Sequence, residues 1–172
     1  MKTLKLFILV VSLFTFASVS IAQEMGPPKP IENKTFEMAL GEWVSVPYSM
    51  MGTNNIVDKS KIYMQHNGQF MVVEVDAKGE SGDNYTGTIY VTIDNNGGLK
   101  GWSFDTWGYS GIMNYTGTAN DNVISLVGTN DWVSETRVIT IDGNKMTHNV
   151  DFTLKLPTGD MNEKLEVVYN KK

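Results

Sequence analysis

The chain of 172 residues contains no cysteine, which excludes a disulfide framework, a thiolate metal site and a cysteine nucleophile together. Arginine is almost as scarce. Arg137 stands alone among 14 basic residues facing 19 acidic ones, for a net charge of −5. A nucleic-acid partner is therefore not expected, because phosphate recognition needs clustered Lys and Arg. Only 2 His and 5 Pro are present, and sustained helical periodicity is missing beyond residue 41. No G-x-S-x-G, phosphate-loop or His-Glu-x-x-His pattern occurs, and no catalytic set or metal site is predicted. What remains is 41% hydrophobic and 19% charged residues, the balance of a globular chain of single-domain length.

One long apolar run exists, from Leu6 to Val19, behind Lys2 and Lys5 and ahead of Ser20-Ile21-Ala22. At about 14 residues it is short for a membrane span, which needs roughly 20. A basic start, an apolar middle and small residues at the end predict a signal peptide over 1–22, hence a secreted or periplasmic protein with no stable membrane span after cleavage. The alternative is a membrane anchor. Residues 23–33, with Gly26-Pro27-Pro28-Lys29-Pro30, read as an extended leader, and 34–172 as one domain.

Phe36, Ala39 and Leu40 fall at helical spacing, predicting one short helix ended by Gly41. Thereafter β-rich runs near 41–48, 57–66, 69–77, 85–94, 98–106, 111–119, 122–129, 135–142, 145–155 and 163–170 alternate with turn chemistry. Asn67-Gly68, Asn95-Asn96-Gly97-Gly98, Asn120-Asp121-Asn122 and Asp142-Gly143-Asn144 accept the positive φ of tight hairpins. Short hairpins make neighbouring strands antiparallel, and curling the meander until its ends pair removes both exposed edges. The expected fold is an all-β, antiparallel up-and-down β-barrel of about ten strands with one short N-terminal helix. A two-sheet sandwich would need longer connections between its sheets.

Alternation assigns faces. Met146, His148, Val150, Phe152 and Leu154 share one side of 145–155, against Lys145, Thr147, Asn149, Asp151, Thr153 and Lys155 on the other. Trp102 and Phe104 share a face, opposite Asp105 and Trp107.

Leu40-Gly41-Glu42-Trp43, then Asn67-Gly68-Gln69-Phe70, Asp94-Asn95, the Trp/Asp strand at 102–105, Gly117-Thr118, Thr136-Arg137-Val138, Pro157-Thr158-Gly159 and Glu166-Val167-Val168-Tyr169-Asn170-Lys171 follow one another in order. In this the chain resembles the bacterial domain-of-unknown-function family 1579 over roughly residues 34–171. The resemblance implies a closed, calycin-like barrel and carries no established activity. Gly41-x-Trp43 is also similar to the opening motif of lipocalins, where a Trp closes one barrel end under a basic side chain. Arg137 is the cation expected over Trp43; its alternative is a pair with a surface carboxylate.

Candidate site residues follow from these faces. His148, projected inward, is either a haem ligand of the nitrobindin kind or a neutral, hydrogen-bonded wall residue. No cofactor other than this haem alternative is expected. Asp105 between Trp102 and Trp107 is either a general acid or, more in keeping with a lone carboxylate, an acceptor for turn backbone. His66 reads as a turn residue, with Asp58 on the same expected strand. Met64, Met71, Met113 and Met146 suit either a ligand wall or core filling. Trp102, Trp107, Tyr109 and Tyr115 are expected around a barrel mouth or as caps of the core. The leading expectation is non-catalytic binding of a small apolar or amphipathic molecule by Trp43, Met71, Trp102, Phe104, Met113, Tyr115, Arg137 and His148. A solid barrel serving as an envelope interaction module is the second expectation, and an enzyme working through Asp105 or His148 the third.

Overall fold

The computed structural model describes residues 28–80, 82 and 84–172, so the signal-peptide expectation over 1–22 lies outside the described residues. Helix α1 (Lys34–Ala39) precedes β1 (Gly41–Ser45), β2 (Tyr48–Met50), β3 (Thr53–Gln65), β4 (Phe70–Lys78), β5 (Asn84–Ile93) and β6 (Leu99–Asp105). A 3-10 turn (Gly108–Gly111) leads to β7 (Met113–Asn120), β8 (Val123–Thr129), β9 (Val133–Asp142), β10 (Lys145–Leu154) and β11 (Met161–Lys171). Every strand from β3 to β11 pairs antiparallel with its sequence neighbour. β1 closes the ring by pairing with β11, Trp43 opposite Lys171, and with β3, Trp43 opposite Ser60. The expected antiparallel barrel is thus present.

The expected strand 41–48 is one strand in two pieces. β1 and β2 both run along β3, and the register slips between them. Pro47 sits at the break, where its fixed φ and missing N–H interrupt the ladder. The wall therefore counts ten strand positions.

One end is plugged. Asn33 caps α1, its Oδ1 accepting from Phe36 N at 3.0 Å, while its Nδ2 donates to Ala119 O at 3.2 Å and Thr35 Oγ1 to Asp121 O at 3.1 Å. These bonds hold the helix across the barrel, where Phe36 and Ala39 pack with Trp43, Met71, Leu99, Ile141 and Met146. Six residues cannot form a helix in isolation, so this burial, not propensity, makes the element. The leader runs past the same end: Ile31 N donates to Gly68 O, and Gln69 Nε2 to Lys29 O at 2.6 Å. Among the described residues no helix is long and apolar enough to cross a membrane.

Candidate functional site

The register separates the wall into faces. Met71, Val73, Val75 and Ala77 of β4 point inward, opposite Val91, Ile89, Gly87 and Tyr85 of β5. The inward set of β6 is Leu99, Gly101, Ser103 and Asp105. Trp102 and Phe104 therefore face outward and are exposed, which corrects their place among the ligand-contacting residues. A Cβ at Gly101 would lie 3.0 Å from the Tyr90 carbonyl oxygen and 3.4 Å from Tyr115 Cβ, so this position stays small and bulk on the inner face is supplied from β7. Phe104 instead completes an edge-to-face ladder of outer-wall rings, Phe70–Tyr90–Phe104, with centroids 6.3 and 6.4 Å apart. A shallow groove of about 450 Å³ lies beside Phe104 on this outer wall, between Glu74, Thr86, Thr88 and Thr106.

Trp43 and Met71 belong to the plug. Trp43 is fully buried and donates from Nε1 to Ala39 O at 2.8 Å. The cation over its ring is Lys171, 5.1 Å from the centroid, not Arg137. Closure of the barrel places Lys171 opposite Trp43, and Gly41 clears its path, since a Cβ there would lie 2.8 Å from Lys171 Cε. Met113 and Tyr115 are buried in the inner wall, Tyr115 OH donating to Met113 Sδ at 3.5 Å, and Gly128 leaves room for both. Met64 and Met146 also pack with the plug cluster, the core-filling alternative.

Arg137 points into the barrel and binds Glu135 on its own strand, Nε to Oε1 and Nη2 to Oε2 both at 3.2 Å. Its partner is thus a carboxylate, though one buried inside the wall and not on the surface. Burial opposes the Arg137 charge, but Glu135 and then Tyr115 outweigh it and hold the guanidinium above its ordinary pKa. Burial and then Glu135 push the Tyr115 hydroxyl up to about 12.

Across the interior, Asp58 lies mid-strand and away from His66, which occupies the left-handed turn before Asn67. Tyr169 donates to Asp58 Oδ2 at 2.7 Å and Tyr48 to Oδ1 at 3.1 Å, while Ser45 Oγ accepts from Asp58 N at 2.8 Å. Burial raises the Asp58 pKa against the pull of these two phenols and of Arg137. The sequence pairs Asp58 only with His66, without the further ligands a metal would need, and gives Glu135 no role. Glu135 is two residues before Arg137, so strand alternation alone puts both on one face.

His148 is buried with its ring 4.6 Å from that of Tyr169, and among the described residues its Nε2 finds no hydrogen-bond partner. That nitrogen has no solvent access, so a ligand on it would require the ring or its neighbours to move. Asp105 is engaged at the opposite end, Oδ1 accepting from Trp107 N at 2.8 Å and Oδ2 from Tyr85 OH at 3.1 Å. It is a turn acceptor, and the structure does not bring it together with His148.

Burial, and then the Arg137 charge, hold the His148 pKa well below its usual 6.5. The native imidazole stays neutral while the unfolded one takes a proton below pH ~6.5. This group's stabilisation is therefore complete above that pH. It is lost as pH falls, by about 1.4 kcal/mol per unit, down to the native pKa. Asp58 contributes with the opposite sign, favouring the fold as pH falls toward its raised pKa, and is common to wild type and variant. In His148→Phe the His148 slope disappears. Urea titrations at pH 7.5, 6 and 5 should show the variant gaining on the wild type at each step; a constant difference would contradict this.

Between plug and mouth the inner wall is less completely buried than the plug itself. Val73, Val75, Ile89, Ile139 and Leu165 face inward at mid-strand yet remain partly accessible, as does a quarter of the Arg137 side chain. Val150, Phe152 and Ala77 are buried on the same inner face but stand outside the plug's cluster.

No protein-family model and no curated protein matches the chain. Among solved structures, the crystal structure of Rv2717c from M. tuberculosis superposes with a TM-score of 0.61 at 13% identity, covering 83% of this chain and 99% of that one. The S-type phycobiliprotein lyase CPES from Guillardia theta gives 0.57 at 10% identity, covering 80% and 90%. These likenesses are of fold alone: a closed antiparallel β-barrel.

Proposed function

We propose that the barrel binds, without catalysis, a small amphipathic molecule whose apolar body lies along the mid-strand aliphatic wall and whose polar head accepts a hydrogen bond from Arg137. The observation that carries this is the accessibility of inward mid-strand aliphatics, which a filled barrel would bury. Arg137 supplies the polar contact. Glu135 occupies Nε and Nη2, and among the described residues Nη1 has no partner. A carboxylate, carbonyl or phenol oxygen suits it. The signal-like start, Lys2, Lys5 and the apolar run to Val19, supports export of the chain before this binding role is exercised. Finer membership in domain-of-unknown-function family 1579 rests on the ordered motifs alone.

Titration with 1-anilinonaphthalene-8-sulfonate is the test, since the probe pairs an apolar body with an acceptor head. Wild type should show saturable, one-to-one enhancement of emission. Ile89→Trp, which fills the space between Val73 and Ser103, should weaken binding at least about tenfold, equivalent to about 1.4 kcal/mol. Equal affinity in both proteins would remove the interior site.

A further inference from the structure

The connections of the barrel alternate between two ends, and their chemistry differs sharply. At the plugged end, turns 66–69, 94–98, 120–122 and 142–144 contain only His, Asn, Gly, Gln and Asp. At the open end, four of five connections present a large apolar side chain to solvent. These are Met51 before β3, Trp107 and Tyr109 before β7, Trp132 before β9 and Leu156 before β11, with Tyr109 88% and Trp107 64% exposed.

The loops are braced, so these side chains have not simply failed to fold inward. Asn130 Nδ2 donates to Ser110 O at 2.9 Å and Ile112 O at 3.1 Å, Lys155 N to Trp132 O at 2.8 Å, and Met51 N to Glu163 Oε2 at 2.9 Å. Each bond ties one connection to the next element around the mouth. The apolar tips consequently form a collar around an opening, a shape that meets a plane better than a ridge. Trp and Tyr, with an apolar body and a polar edge, are the side chains that settle at the headgroup layer of bilayers. Charge narrows the partner: Glu80, Asp131, Asp160 and Glu163 outnumber Lys78 and Lys155 around the collar, so an anionic surface is repelled and a zwitterionic one is not. Behind the collar, the inward aliphatics Val75, Ile139 and Leu165 are partly accessible.

From these observations we propose that the open rim is a docking surface for the headgroup layer of a zwitterionic lipid bilayer. Docking stands without the ligand-binding reading. The test is flotation of the full chain with phosphatidylcholine vesicles, compared for wild type, Trp107→Ser/Tyr109→Ser at the rim, and Trp102→Ser/Phe104→Ser on the outer wall. Both variants lose two exposed aromatics and keep residues 1–27, so fold and the apolar N-terminal run are common to all. The rim variant should lose about tenfold or more in partitioning, and the wall variant should stay within about twofold of wild type. In wild type, lipids brominated on the acyl chain should quench exposed tryptophan emission.

Equal loss in both variants, unquenched tryptophan in floated protein, or preference for vesicles rich in phosphatidylglycerol would overturn the proposal. A dimer that the rim substitutions dissolve would overturn it too, by assigning the collar to a second copy. Because no vesicle enters the anilinonaphthalene sulfonate titration, failure of docking and failure of interior binding are read separately.

Discussion

Trp43→Ala should cost about 3–5 kcal/mol of stability, the range for emptying a buried Trp site. The side chain is completely buried at the one end of the barrel that is closed, and it ties three elements together. Its ring packs with Phe36 and Ala39 of α1, its N–H caps the α1 carbonyl of Ala39, and Lys171 of β11 lies over its face. Set against a typical total of about 5–15 kcal/mol, such a loss leaves a marginal fold. The melting temperature should fall by roughly 10 °C, at about 2–4 °C per kcal/mol for a domain of this size. Lys171→Met removes only the cation and should cost no more than about 1 kcal/mol. Urea denaturation of the two variants checks this. A Trp43→Ala loss below that of Lys171→Met would mean that the plug is held by other contacts.

Glu135→Gln is the second large effect. It leaves the Arg137 charge inside the wall with a neutral neighbour, and breaking one partner of a buried pair costs about 3–5 kcal/mol. Because a quarter of the Arg137 side chain is accessible, the lower figure is expected. Replacing both, Glu135→Gln with Arg137→Met, removes the uncompensated charge and should recover most of the loss, since the pair itself is worth little against well-packed apolar groups. Denaturation midpoints of the wild type, the two single variants and the double variant form the cycle that isolates the coupling. Additive losses would show that the two groups do not depend on each other.

Much of this architecture is legible in local chemistry. Asn67-Gly68 and Asp142-Gly143-Asn144 carry the positive φ values their hairpins demand. Met146, His148, Val150 and Phe152 alternate so cleanly that the sequence alone orients β10. Where sequence reasoning fails, a partner strand decides. Alternation on β6 suggests that Trp102 and Phe104 point inward, because large apolar residues ordinarily do. Yet Gly101 and Ser103 take the inner face, where Tyr115 and Met113 of β7 fill the space. A guanidinium stacks well on an indole, so the lone Arg137 is the cation the sequence offers over Trp43. Only the pairing of first strand with last brings Lys171 there, and no local pattern encodes that closure. The division of β1 from β2 was within reach, since Pro47 announces it.

The Asp58–Tyr48–Tyr169 cluster has a different cause. Its members are 10 and 111 residues apart along the chain, so only the closed ring assembles them. The Arg137–Glu135 pair, by contrast, needs nothing beyond strand periodicity, and its spacing of two is visible as soon as β9 is recognised.

The account depends above all on free space behind the mouth. The most direct measurement is the unfolding free energy of Ile89→Trp in urea. With space beside Ile89, the larger ring should fit, leaving stability unchanged or raised; a loss of about 1–3 kcal/mol, the cost of overpacking a filled core, would contradict it.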